Sequence, residues 1–100
     1  MNMTIQSIRR GTELTLAPAG RLDTLSAPEL ECALRGALDD VTALIFDFSN
    51  LEYISSAGLR VLLSARKAMA RQGTMKLIHV NEAILDIFEV TGFTDILTIE

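Results

Sequence analysis

Alternating apolar and polar positions open the chain: Met3 to Ile8 and Glu13 to Ala17 change character at nearly every residue, and Arg9 to Thr12 between them holds Gly11. Two short strands joined by a tight turn are expected there, as a hairpin. The rhythm then changes. Leu30, Ala33, Leu34, Ala37 and Leu38 follow at helical spacing behind Ser26-Ala27-Pro28-Glu29, which has the form of a capping box. Ser26 would be the N-cap, Pro28 sits in the first turn where a missing N–H is tolerated, and Glu29 can reach back, so a helix is predicted over 26–39. Val41 to Phe48 is an almost unbroken apolar run, the mark of a strand covered on both faces. Leu59, Leu62, Leu63, Ala65, Ala68 and Met69 trace one helical face, with Arg60, Arg66, Lys67 and Arg71 mostly off it and Gly73 as a stop. A second helix is therefore predicted over about 57–72. Met75 to Val80 reads as another strand, Asn81 as the N-cap of a short helix through Val90 that Gly92 ends, and Asp95 to Ile99 as a last strand.

The order ββαβαβαβ places the chain in the α/β class, as a small mixed, largely parallel β-sheet of about five strands with crossover helices. In such sheets functional residues gather in loops at the carboxyl ends of the strands. Two of those loops carry distinctive residues, Gly20-Arg21-Leu22-Asp23 and Ser49 to Ser56. If the strands before them are neighbours, Asp23 and Ser56 lie on one rim.

Composition narrows the possibilities. One hundred residues, 49% of them hydrophobic, are expected to form a single domain over 1–100 with one core and little room for a deep cleft. Thirteen acidic against nine basic residues give a net charge of -4, and the basic ones are scattered, so nucleic acid is not an expected partner. Cys32, the one cysteine, can form no internal disulfide. It lies off the apolar face of its helix as a thiol without a role. No apolar run approaches the roughly 20 residues that span a bilayer, and the first residues lack the form of a signal peptide. A soluble cytoplasmic chain is expected, with no membrane contact.

Three enzyme-like readings fail on the residues. A nucleophile elbow wants glycine two positions before its serine, and Ile54 stands there before Ser56. The one histidine, His79, falls in a predicted strand and reads as an ordinary strand residue. A receiver-type phosphoaspartate at Asp47 would need an acidic pair after the first strand, where the sequence reads Ser7-Ile8-Arg9-Arg10. No glycine-rich phosphate loop exists, since Gly20, Gly36 and Gly58 are isolated, and no cofactor or metal is implied. What remains is the stretch Ile54-Ser55-Ser56-Ala57-Gly58 at a strand-to-helix junction. Ser55 or Ser56 can simply cap the helix, a contribution of about 1 kcal/mol. The same place also suits a phosphoserine, whose charge meets the positive end of the helix dipole. Arg60, one turn on, would partly offset that charge.

The stretch "LIFDFSNLEYISSAGLRVLL" (44–63) resembles the signature of the STAS domain, in particular the bacterial anti-sigma factor antagonists. Asp47, Phe48 and Ser49 match its Asp-x-Ser, Ser56 its phosphorylated serine, and Gly58-Leu59 its closing Gly-Leu. "GRLD" (20–23) is similar to the family's Gly-x-Leu/Val-Asp, and "VNEAILDIFEVTGFTDILTI" (80–99) to its last third. The resemblance implies a protein that is not an enzyme. Unphosphorylated, it would bind an anti-sigma factor that is also a GHKL-type serine kinase; phosphorylation at Ser56, less readily at Ser55, would release it; a PP2C-type phosphatase would reset it. Leu22, Asp23, Ser55, Ser56, Ala57, Gly58 and Arg60 would form the partner-binding rim, and a free monomer is expected. The same family includes non-switching accessory subunits of lipid-transport ABC complexes, which is the alternative. Two positions depart from the pattern: Ser55 stands where many relatives carry Asp, and Ala57 where they carry a second Ser or Thr.

Overall fold

A computed structural model describes residues 3–100. Its first strands are β1 (Thr4–Arg10) and β2 (Glu13–Leu22), an antiparallel hairpin in register from Thr4↔Ala19 to Arg10↔Glu13. The long β2 has two parallel neighbours. Its first half pairs with β3 (Ala43–Asp47), and its last residues pair with β4 (Leu51–Ile54) after a bulge between Gly20 and Arg21. β5 (Thr74–Ile78) then lies parallel to β3, which gives the order β1-β2-β3-β5 with β4 beside the end of β2. The helices are α1 (Ala27–Leu34), α2 (Ser56–Met69) and α3 (Glu82–Thr91), followed by a short 3-10 turn at Phe93–Asp95.

The mixed, largely parallel five-stranded sheet with crossover helices is therefore the architecture found. Its order, however, is ββαββαβα, which corrects the expected ββαβαβαβ in two places. The fifth strand is β4, not residues 95–99. In "LEYI" the buried positions are Leu51 and Ile54, with exposed Glu52 and Tyr53 between them, so the period of two that marks a strand is missing. At the other end, the amides of Ile96 and Leu97 bond back to the Phe93 carbonyl, which closes the 3-10 turn. Only a single parallel bridge, Leu77↔Ile99, runs beside β5.

The core forms on one face of the sheet. Leu14, Leu16, Leu44, Phe46 and Leu77 point into it from the strands, and Leu30, Leu62, Ile84 and Phe88 meet them from the helices. The alternate residues of β3, Ala43, Ile45 and Asp47, stay only partly buried, so this strand is covered on one face and not on both as its composition suggested. Helix α1 is also shorter than its periodicity implied. It ends at Leu34 because Gly36 adopts φ 78, a left-handed conformation that closes the helix and that glycine takes without steric cost. Asn81 caps α3 as expected: Oδ1 accepts from the Ile84 amide at 2.9 Å, while Nδ2 donates to the Leu51 carbonyl at 2.9 Å and so ties α3 to β4.

Candidate functional site

The carboxyl ends of β2 and β4 meet side by side. Leu22 pairs with Ile54, and the Ser55 amide donates to the Leu22 carbonyl at 2.8 Å. Asp23 and Ser55 each follow a paired residue directly, so Asp23 and Ser56 share one rim, as the expected topology required. The strand that sequence periodicity missed is what brings them there.

Ser55 and Ser56 occupy different positions in the same junction. Ser55 is the N-cap of α2, with extended backbone (φ -100, ψ 176), and its Oγ accepts from the Gly58 amide at a long 3.4 Å. Ser56 is the first helical residue and is exposed, and its hydroxyl has no hydrogen-bond partner among the described residues. A serine N-cap performs the same amide-capping task as aspartate, so Ser55 serves the helix end as an Asp there would.

Gly58 and Leu22 have structural work on this rim. Leu22 is fully buried, and Gly58 lies directly over it: a Cβ at Gly58 would come within 2.7 Å of both Ile54 Cγ1 and Leu22 Cγ. The side chain of Leu22 thus faces the core and cannot touch a partner docking on the rim, which corrects its place among the expected contact residues. Ile54 is likewise buried. Gly58 sets how closely α2 approaches the strand ends, Ala57 is half-buried, and Arg60 is exposed.

The loop after β2 is held by Ser26, although not as the expected capping box. No side-chain cap hydrogen bond forms at α1. The Ser26 hydroxyl instead donates to the Arg21 carbonyl at 2.6 Å and accepts from the Asp23 amide at 2.9 Å. One oxygen of Asp23 accepts from the amides of Leu25 and Ser26, each at 3.1 Å. These bonds, with the Ser26 backbone first, outweigh partial desolvation and hold the Asp23 carboxyl below the usual carboxylate range. Arg21 stacks its guanidinium 4.3 Å from the centre of the Tyr53 ring and stands 4.0 Å from Asp23.

A second cluster lies at the ends of β3 and β5. The Asp47 carboxylate accepts from the Ser49 amide at 3.0 Å and pairs with His79 Nδ1 at 3.0 Å. Burial acts most strongly on Asp47 and would raise its pKa, but the hydrogen bonds from His79 and Ser49 together win, so the carboxyl sits below its usual range. His79 is therefore more than an ordinary strand residue: it follows β5 with φ 58, a left-handed backbone uncommon outside glycine. Spacing alone, with the two residues 32 positions apart, gave no sign of the pairing. Among the described residues no cluster of three His, Cys, Asp or Glu could hold a metal ion, Cys32 is exposed, and no helix is long and apolar enough to cross a membrane.

The family model of the STAS domain matches residues 4–100. The anti-sigma-B factor antagonist of Listeria monocytogenes serovar 1/2a is 30% identical over 103 residues, which cover 100% of this chain and 90% of the relative. An anti-sigma factor antagonist from Mycobacterium paratuberculosis superposes with a TM-score of 0.88 at 21% identity, over 98% of this chain and 85% of that one. The Bacillus cell fate determinant SpoIIAA in its phosphorylated form gives a TM-score of 0.75 at 18% identity, over 97% and 91%. These structural likenesses establish the fold.

Proposed function

The chain belongs to the STAS domain family, and from that premise we propose that it is an anti-sigma factor antagonist that switches partners through Ser56. Unphosphorylated, it binds a cytoplasmic anti-sigma factor that is also a GHKL-type serine kinase. Phosphate transferred from ATP to the Ser56 hydroxyl ends the complex, and a PP2C-type phosphatase restores it. The chain is the substrate in both steps, and it acts as a monomer. The observation that carries this reading is the division of labour at the junction: the Ser55 hydroxyl is engaged as the cap of α2, whereas that of Ser56 is exposed and, among the described residues, unpartnered on the rim that also carries Asp23.

The physical consequences support a switch. A phosphate on the first residue of a 14-residue helix faces the positive end of its dipole, so the modified fold is stable. Up to two added negative charges next to Asp23 change the rim a partner must cover, through repulsion and the cost of desolvating the phosphate. Binding of the purified GHKL-type kinase from the same genome to the unaltered chain and to Ser56→Asp tests the proposal. Strong binding by the unaltered chain and at least roughly tenfold weaker binding by Ser56→Asp are expected. Equal affinities would contradict it.

A further inference from the structure

On the rim beside the switch, Leu25 is 88% exposed, an unusual degree for a large apolar side chain. Isolated exposed leucines are ordinary on protein surfaces. What separates Leu25 is that its loop is tied by a set of local hydrogen bonds. Its amide bonds to Asp23 Oδ1 at 3.1 Å, the next amide bonds to the same oxygen, the Ala27 amide bonds to the Asp23 carbonyl at 2.8 Å, and the Ser26 hydroxyl bridges Arg21 and Asp23. A leucine held out by a pre-organised loop loses little further backbone freedom when a partner buries it. Its position is also continuous with the switch, since the same loop begins at Leu22, whose carbonyl accepts from the Ser55 amide.

Two residues further along the chain Ala27 and Pro28 line a shallow groove of about 290 Å³ between α1 and α2, apolar also at Ala57 and Val61 and polar at Glu31, Arg60 and Ser64; Leu25 stands outside its lining. Ala57 follows Ser56 directly. Among the described residues the other large apolar side chain exposed to the same degree, Val90 at 88%, lies near the far end of α3, about 14 Å of helix from its N-cap Asn81.

We propose that Leu25 is the apolar anchor of the complex, inserting into a hydrophobic pocket on the anti-sigma factor while the α1–α2 groove takes the adjoining part of the same partner. The inference rests on the antagonist function argued above and assigns it a contact residue outside the signature stretch. Moving a leucine side chain from water into an apolar pocket is favourable in proportion to the area it buries, so Leu25→Ala should weaken binding about 10- to 100-fold. The test is titration calorimetry with the purified GHKL-type kinase from the same genome, in ADP so that no phosphate is transferred. Leu25→Met should bind within about threefold of the unaltered chain, because length and apolarity are kept. Val90→Ala should bind equally well, and all three variants should melt within about 2 °C of the unaltered chain, since surface changes of this kind move stability little. Full affinity in Leu25→Ala would overturn the anchor and leave the antagonist function standing. Failure of the unaltered chain to bind would remove both.

Discussion

Replacing Gly58 with alanine tests how core packing sets the approach of α2, and with it Ser56, to the strand ends. The added Cβ would lie 2.7 Å from Ile54 Cγ1, 2.7 Å from Leu22 Cγ and 3.1 Å from Leu22 Cδ2. Carbon atoms in contact prefer about 3.5–4.0 Å, so the overlap approaches about 1 Å. Leu22 Cγ is a branch point one bond from its own Cβ, and Leu22 and Ile54 are 0% and 1% exposed, so neither can swing aside into solvent. Overpacking of this kind costs about 1–3 kcal/mol. Alanine's better helix propensity returns up to about 1 kcal/mol, less in a first turn. Steric overlap wins, and a net loss of about 1–2 kcal/mol is expected, a fall of roughly 4–16 °C in Tm for a domain of this size. Urea unfolding supplies the free energy and thermal melting the temperature. The double variant Gly58→Ala, Leu22→Ala removes the Leu22 part of the clash, leaving that with Ile54 Cγ1, and should be about 1 kcal/mol more stable than the sum of the single changes. A Gly58→Ala protein as stable as the parent, with no coupling to Leu22, would refute the close approach of α2 to the strand ends.

Three further outcomes follow from the same geometry. Leu22→Ala empties a fully buried site and should cost about 2–5 kcal/mol by urea unfolding; an unchanged stability with weakened partner binding would return Leu22 to the contact surface. The Asp47 carboxyl has a folded pKa below its unfolded value, so its stabilisation is complete above about pH 4 and is lost as pH falls through the folded value. Urea unfolding across that acid range should show this loss in the parent and a smaller one in Asp47→Asn, and identical profiles would remove Asp47 as its source. Carboxyl NMR should accordingly show Asp47 titrating at higher pH in His79→Ala than in the parent, and an unmoved titration would mean that the 3.0 Å pair contributes nothing in solution.

Periodicity and turn chemistry made most of this fold readable before any coordinates. The hairpin, the two longer helices and the Asn81 cap depend on contacts close in sequence, and these emerged where the pattern placed them, except that β2 runs on to Leu22 through residues expected as a loop. What stayed hidden depends on distant partners. β4 exists because the end of β2 offers it three backbone pairings, not because "LEYI" alternates. The Asp47–His79 pair exists because β3 and β5 lie side by side. At the site itself, the strand-to-helix junction and its two serines were legible, as was the sharing of a rim with Asp23. Which serine caps the helix was not, because adjacent hydroxyls look alike until the backbone of Ser55 is known to be extended and that of Ser56 helical. Leu22 follows from the resemblance only as a rim position; that its side chain is buried depends on the pleat of β2, which turns it toward the core.

The central claim is that one hydroxyl, that of Ser56, carries the switch. The most direct measurement is intact-mass and peptide mapping of the chain after incubation with a purified GHKL-type kinase from the same genome and ATP, run beside a Ser56→Ala variant. One phosphate located on Ser56, and none on the variant, is the predicted result. Full phosphorylation of Ser56→Ala, with the phosphate on Ser55, would contradict it.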